Sequence, residues 1–544
     1  MNKKFDYKKN SNKSKKFAGD FKEFVRNVEN PTQVTIDKIS AKDKGESFSV
    51  FGSVDKVVQT GGPTIFYITD GTGTLALKAF EGAGVRSYPH VDVGDVIKAS
   101  IKIEEYNDEL EGEVSKIWKL QDKDKKEFLD GLEKIERDRA KVAPIPFLAD
   151  SPVLEKLKER MIVAATAVRL AVIQNRPIII RHHNDTDGYS SGYALERAIL
   201  PLIEKQHASV KAAWEFFTRA PCDAPMYELD DSIRDTARSL SNEAKFSNKI
   251  PLVLIVDTGS GEEDLLGILQ GKVHGEDFIV VDHHRFDKDV ISEHTIANIN
   301  PCLVGEDGAA YSAGMLCTEL ARLINPDPNL NITQIPAMAG LADRVDNPKV
   351  MDKYLELAKE KGYTKEMLRE IACVIDFVSS RLRFMEAREY VEVLFGEPMK
   401  KQKALVDLLA PYIRGLEAKG LQIAKSAVKT QEINGITLQS IEVEKTFPRG
   451  FYPKTGRVVS LLHDNLQETK KTTKLVTIGI LPDAITIRAT DEADFSVQDM
   501  IKHMHKEVPE AFVEGGGHKN AGSIRFIPTK QEKVLELFKK FVGR

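Results

Sequence analysis

Three segments of the chain place acids and imidazoles where a buried-type strand runs out. The first is IIIRHHNDTDGYSSG, in which His183, Asp185 and Asp187 alternate before Gly188. At strand spacing alternate side chains point to one side, so the three are expected to share a face, where they would repel or desolvate badly without a cation. The second is VLIVDTGSG, ending in Asp257, and the third is FIVVDHHRFD, ending in Asp282, His283 and His284. A fourth piece, AMAGLADRVDNP, closes a helical apolar run with Asp343. Each piece has an ordinary structural reading as well. A lone strand-end aspartate such as Asp257 commonly caps the next helix, an Asp-His-His run fits a satisfied turn, and Asp343 can pair with Arg344. Taken together they point to divalent cations. Mixed carboxylate and imidazole ligands suit hard or borderline ions, Mn2+ ahead of Mg2+ because of the histidines. Two such ions sharing a carboxylate activate a water and stabilise charge at an attacked phosphorus.

The elements that must position these groups follow from the hydrophobic pattern. From Leu154 an amphipathic helix leads into the first of three continuous apolar runs, separated by helical stretches, which predicts a mostly parallel, doubly wound sheet covered on both faces. In such sheets ligands bind beyond the carboxyl ends of the strands, so the strand-end groups can converge on one crevice. Before this region, residues 32–120 alternate apolar and polar positions in five short runs (VTIDKIS, SFSVFGSVDKV, TIFYITDGTG, TLALKAF, DVIKASIKI). They predict a small β-barrel, and GSVDKVVQTGGPTIFYITDGTGTLALKAF resembles the opening strands of nucleic-acid-binding OB domains. Phe66, Tyr67, Phe80 and Lys78 are its candidates for base stacking and a phosphate contact, although Phe66 and Tyr67, being adjacent, cannot both face a ligand. The expected organisation is a basic tail (1–31), the OB-like barrel (32–120), a charged helical linker (121–153), the α/β catalytic domain (154–350), a helical connector (351–425) and a C-terminal α+β domain (426–544). In the last of these ITLQSIEVE, RVVSLLH, LVTIGILP, AITIRAT and GSIRFIP are expected strands.

The composition limits the function classes. A chain of 544 residues is too long for one domain, and 42% hydrophobic with 29% charged residues is enough for several cores. No apolar run of eighteen or more residues suggests a membrane span, and no apolar stretch follows the lysine-rich start, so a soluble, cytoplasmic protein is expected. Cys222, Cys302, Cys317 and Cys373 form no C-x-x-C pair, which argues against structural zinc and a disulfide framework. Net charge is 78 − 82 = −4, so affinity for polyanions must come from local basic surfaces.

In the order H-x-D-x-D-G (His183 to Gly188), strand-end Asp257, Asp282-His283-His284, Asp343 and the late GGGHKNAGS, the chain resembles the DHH phosphoesterases, and most closely their RecJ-like exonuclease branch of archaeal type. The resemblance covers residue 155 to the C-terminus. It implies two Mn2+ or Mg2+ ions held by His183, Asp185, Asp187, Asp257, His283 and Asp343, with Asp257 bridging. It also implies that His284 meets the substrate phosphate or attacking water, and that Gly515, Gly516, Gly517 and His518 of a DHH-associated domain bind phosphate, with Arg488 as a further clamp. The implied activity is hydrolysis of single-stranded DNA or RNA from an end, with replication or repair proteins as possible partners. Two other readings stay within reach of the family: a replication-associated scaffold with little nuclease activity, and a phosphodiesterase of short oligonucleotides or cyclic dinucleotides. A rival outside it rests on Gly188-Tyr189-Ser190-Ser191-Gly192, which fits the G-x-S-x-G nucleophile elbow of serine hydrolases. Asp185 and Asp187 immediately before Ser190 oppose an oxyanion there.

Overall fold

In the computed structural model, which describes residues 31–106, 109–207, 209–222, 224, 226–246, 248–382, 388–448 and 450–542, the apolar runs around the strand-end acids form one parallel five-stranded sheet. Its strands lie in the order Ala297–Ile299, Asp277–Val281, Leu252–Val256, Ile178–His182, Phe217–Pro221. The sheet is buried on both faces: Leu252, Leu254 and Val256 enter one core, shared with the helices Pro152–Ile173, Thr186–His207 and Ala313–Ile324, and Val253 and Ile255 enter another. This two-sided burial is why the strands read as unbroken apolar runs rather than alternating ones.

A buried cation pins the strand Ile178–His182 to a neighbouring helix. Arg181 donates from Nε and Nη2 to the two carboxylate oxygens of Asp235, at 2.8 and 2.6 Å, and from Nη1 to Asp231 at 3.2 Å. Both acids belong to the helix Leu229–Phe246 and are fully buried.

Ahead of the sheet, strands Ser47–Gln59, Thr64–Thr69, Thr74–Ala79, Val96–Tyr106 and Glu109–Lys119 close into a barrel. The first pairs with both the second and the fourth, and the third pairs parallel with the fifth. The fifth strand was not expected, because its many acids and lysines hide the two core residues Val114 and Ile117. VTIDKIS is not a barrel strand. Only Thr32–Gln33 pair, and then Asp70 and Thr72 capture the amides of Ile36 and Asp37, tightening the chain into 3-10 turns. Phe66 lies in the barrel core, Tyr67 is half-buried, Lys78 is paired with Glu111, and Phe80 is exposed.

The barrel sits at the amino-terminal ends of the parallel strands. Asn175, just before Ile178–His182, donates to Asp55 at 2.5 Å, and Lys249, just before Leu252–Val256, reaches Asp55 at 3.1 Å. The helix Asp122–Ala140 follows the barrel. After the parallel sheet come the helices Pro348–Glu360, Lys365–Ser379, Arg388–Leu394 and Met399–Ala427. A mixed sheet then follows, in the order Lys429–Ile433, Ile436–Glu442, Leu475–Ile480, Ala484–Ala489, Ala521–Arg525, Glu514–His518. RVVSLLH, expected as a strand, lies inside the helix Thr455–Lys470. Its buried residues Val458, Val459, Leu462 and Leu466 follow a helical repeat, which overrides the β-branched pair. The lysine-rich segment before residue 31 lies outside the described residues. No helix among the described residues is long and apolar enough to cross a membrane.

Removing Asp235 strips the buried Arg181 guanidinium of both hydrogen bonds to that carboxylate and leaves it only Asp231. Asp235→Ala is therefore expected to cost about 3–5 kcal/mol, read as a lower urea midpoint of the unfolding transition. Asp277→Ala, at the partly exposed Arg176–Asp277 pair, should cost at most about 1 kcal/mol.

Candidate metal centre

The strand Ile178–His182 stops one residue before the first chemistry-bearing group. His183, Asn184 and Asp185 form a turn, and Asp187 already lies in the first turn of Thr186–His207. The three groups therefore do not share a strand face, as their alternation suggested; a tight turn gathers them instead. Gly188 makes that turn possible, because a Cβ there would fall 2.1 Å from the carbonyl oxygen of His183. Its amide donates to Asp185 Oδ1 at 3.0 Å, and His183 Nδ1 lies 2.9 Å from Asp185 Oδ2.

Asp257 immediately follows Leu252–Val256 with φ +59°, the left-handed region that a non-glycine residue occupies at a cost of about 1 kcal/mol or more. Its amide donates to Val281 O, which fixes it to the neighbouring strand. The two carboxylate oxygens then face opposite ways: Oδ2 lies 3.7 Å from His183 Nδ1, and Oδ1 lies 3.3 Å from His283 Nε2. His283 Nε2 is also 3.7 Å from Asp187 Oδ2 and 3.3 Å from Asp343 Oδ2. Among the described residues four groups of three ligand atoms form here, each with its atoms within 4.8 Å of one another: besides Asp257–Asp282–His284 and His283–His284–His518, the two that take up the six expected ligands are His183–Asp185–Asp257 and Asp187–His283–Asp343. All six residues singled out in the sequence as ligands are thus brought together, with Asp257 facing both groups.

The electrostatics of the cluster fit a divalent cation in each group. Asp257 Oδ2 and His283 Nε2 are buried without completing a hydrogen bond. Burial, then Asp257 and Asp343, push the Asp187 carboxyl well above its ordinary range, and burial also raises Asp343. For both imidazoles burial works toward the neutral form, but it is outweighed. Asp185 and Asp257 hold His183 well above its usual value, and Asp343, Asp257 and Asp187 do the same for His283. Protons that these ligand atoms retain only because acids crowd them are what a cation displaces.

Around the cluster stands a second ring of residues. Asp187 accepts from the Ala313 and Gly314 amides at 2.8 Å each, the free amino end of Ala313–Ile324. Asp376 accepts from Thr186 N at 2.9 Å and Thr186 Oγ1 at 2.6 Å, although burial, then Asp185, raise its own carboxyl to about 6. Asp282 accepts from His284 Nδ1 at 2.7 Å and from both following amides. Of the residues that support the six ligands, only Asp282 carried a sequence signal; Asp376 lies on a helix 190 residues from its partner, with no motif around it.

The C-terminal sheet closes the other side. His518 stacks on His284 with ring centroids 4.8 Å apart and meets His283 edge-on at 5.1 Å. Arg488 and His518 both stand opposite Ala521 in adjoining antiparallel pairs, so they share a face of the sheet. Burial, then Arg344, lower the Arg488 guanidinium, while Asp343 supports its charge. Gly515, Gly516 and Gly517 form an edge strand rather than a free loop. Cβ atoms at Gly515 and Gly517 would lie 2.2 and 2.4 Å from carbonyl oxygens of the partner strand, and one at Gly516 would lie 2.9 Å from Glu263 Oε1. Glu263 is a further acid at the site, raised by burial and then Asp282.

Two ordinary readings fail here. Arg344 pairs with Asp464 at 2.8 Å rather than with Asp343. Ser190 is fully buried within Thr186–His207, so Gly188–Gly192 is no nucleophile elbow. Cys222, Cys302, Cys317 and Cys373 are free thiols.

No family model matches the chain. The uncharacterized protein MJ1198 of Methanocaldococcus jannaschii is 36% identical over 514 residues, covering 90% of this chain and 67% of that protein. A solved structure described as the DHH domain of a member of a family of ribosomal proteins matches at 37% identity with a TM-score of 0.73, over 77% of this chain and 98% of that one. A crystal structure of the exonuclease RecJ bound to manganese matches at 17% identity with a TM-score of 0.47, over 74% of this chain and 97% of that one.

Gly188→Ala forces the His183 carbonyl aside and with it the imidazole. The expected result is at least about tenfold weaker Mn2+ affinity, measured by isothermal titration and by loss of the Mn2+-induced rise in Tm.

Proposed function

The chain belongs to the DHH-domain family, and from that premise we propose that it is a metal-dependent phosphodiesterase that releases nucleotides from an end of single-stranded DNA or RNA. The observation that carries the reading is the Asp257 carboxylate, set between two three-ligand groups with one oxygen toward each. His183, Asp185 and Asp257 would hold one divalent cation, and Asp187, His283 and Asp343 the other with Asp257 between them. Mn2+ is preferred over Mg2+ because each group includes an imidazole. Bound there, the cations supply Lewis acidity and neutralise charge at the attacked phosphorus.

The chain's own groups divide the remaining work. Asp282 holds His284 by Nδ1, which leaves Nε2 as the nitrogen that takes a proton from the attacking water, an acid-oriented imidazole base. Burial disfavours the charged form of His284, but Asp282 outweighs it and raises the ring above its usual value, so it serves as the base only once it has lost its own proton. Burial, then His284 and His283, keep His518 neutral, so it can donate one hydrogen bond to a phosphate oxygen without adding a third charge. Arg488, on the same face, offers the fork of donors that clamps a phosphate. The barrel would collect the strand that the C-terminal sheet and the cluster then cut.

The deciding experiment digests end-labelled DNA and RNA strands with Mn2+ and resolves the products on a gel. Progressive shortening from one end supports the reading; internal cutting, or no cutting of either strand, overturns it. Asp257→Ala is expected to abolish hydrolysis while the protein stays folded by circular dichroism, because no neighbour can face both groups. After chelation, Mn2+ should restore activity better than Ca2+, which prefers more oxygen ligands at longer distances.

A further inference from the structure

The barrel strands carry a row of aromatic and cationic side chains away from the face that the sequence marked for binding. That expected face is partly taken up by the protein itself. Phe66 is in the core, and Tyr67 is half-buried beside Lys56, which reaches Glu215 of the helix Ala212–Phe216 at 2.5 Å. Lys211 near that helix approaches Glu109 of the barrel at 3.6 Å.

Elsewhere on the barrel, Phe51, Lys98 and Trp118 stand directly opposite one another across three neighbouring strands. Their neighbours Val50, Ala99 and Ile117 point into the core, so the row points outward. Lys98 Nζ lies 5.4 Å from the Phe51 ring and 6.0 Å from the Trp118 ring, and Lys116 Nζ lies 4.8 Å from the Trp118 ring. Trp118 is 40% exposed, a large area for an indole to leave in water. Other lysines of the barrel are tied to acids: Lys44 to Glu105, Lys78 to Glu111, Lys102 to Glu104 and Lys119 to Asp95. Lys98 and Lys116 form no ion pair with a described residue and are held over ring faces instead.

We infer that Phe51, Lys98, Lys116 and Trp118 form a platform for single-stranded nucleic acid, with a base stacked on Trp118 and the two lysines at flanking phosphates. Unpaired cations beside an exposed aromatic face match the two constant features of such a strand, its backbone charge and its base planes. An acidic peptide would use the lysines but give the indole nothing to stack on. The inference rests on the nuclease reading for its substrate and adds a length requirement. The barrel lies at the amino ends of five-residue parallel strands and the metal centre at their carboxyl ends, so an occupant of both must span at least about 17 Å. The ligand is thus a long strand, not a dinucleotide.

The test uses the full chain, which contains two tryptophans, Trp118 and Trp214. Trp214→Phe leaves Trp118 as the only indole, and oligothymidylate is added in chelator so that nothing is cut. Binding should quench the fluorescence, and added salt should reverse the quench. Trp118→Ala, which removes the reporter and is read by the anisotropy of a labelled oligothymidylate, should weaken binding about tenfold. Lys98→Glu with Lys116→Glu, both surface changes that spare the core, should weaken it further and lower the salt slope by about two. A thymidine dinucleotide should give no quench. Absence of quench with the long strand, or equal affinity in the lysine variant, overturns the platform, as does a loss of affinity from Phe80→Ala alone. The two readings fail separately. Quench without Mn2+-dependent cutting removes the nuclease and keeps the platform; cutting with undiminished affinity in the variants removes the platform and keeps the nuclease.

Discussion

The catalytic half of the molecule depends on one buried carboxylate that must face two ways. Two unit charges about 4 Å apart interact by about 4 kcal/mol at the effective dielectric of a protein near its surface. Asp257 has Asp187, Asp343 and Asp185 as neighbours. Several such repulsions would rival the roughly 5–15 kcal/mol that separates a folded domain from its unfolded chain. The cluster can persist in only two forms: partly protonated, with His183 and His283 as the internal cations, or neutralised by bound metal. The raised Asp187 and Asp343 carboxyls and the raised imidazoles describe the first form. The unsatisfied Asp257 Oδ2 and His283 Nε2 mark where it falls short of the second.

Holding such a cluster in place takes contributions from distant parts of the chain. The parallel sheet delivers three strand ends to one line, but it does not orient the side chains. That is done by groups arriving from elsewhere: the amide end of Ala313–Ile324 on Asp187, Asp376 of the connector on Thr186, and Asn300 Nδ2 on the carbonyl of His284 at 2.9 Å. Backbone proximity adds to this. A Cβ at Gly308 would fall 1.8 Å from the His283 carbonyl oxygen, so that residue too must be glycine for His283 to sit where it does. The left-handed conformation of Asp257 is sustained by this surrounding over-determination rather than by local preference.

The same contrast explains what the sequence made legible. Acids and imidazoles interrupting apolar runs announce themselves, because nothing in a core requires them, and the structure brings all six of those residues into two adjoining groups. Which residues support them was illegible, since Asp376 and Thr186 meet only through tertiary packing. The parallel sheet was readable because two-sided burial leaves unbroken apolar runs. The helix Thr455–Lys470 was misread because Val458 and Val459 look like strand residues until Leu462 and Leu466 are counted at helical spacing. In the barrel, Glu109–Lys119 was hidden by its charges. The row Phe51–Lys98–Trp118 could not be foreseen either, because its register is set by barrel closure and by a bulge at Ser100 and Ile101.

A polyanion approaching this chain meets a contradiction, and the architecture resolves it by distance. The groups proposed to cut are mostly carboxylates, and a strand's phosphates are repelled from them until cations are in place. On a chain whose net charge is −4, general attraction cannot overcome that repulsion. On the proposed reading capture rests on local cations: Lys98 and Lys116 of the barrel, which pair with no acid among the described residues, and Arg488 on the C-terminal sheet, whose charge Asp343 supports. Exposed charges separated by more than about 8–10 Å are largely screened at physiological salt, so a strand held at the barrel is nearly indifferent to the carboxylates at the far end. Only when its terminus reaches the cluster does the cation content of that cluster matter. On the proposed reading affinity and turnover then respond to different variables, salt for the first and divalent metal for the second, and that gives a physical reason for setting the barrel and the acid cluster at opposite ends of the parallel strands.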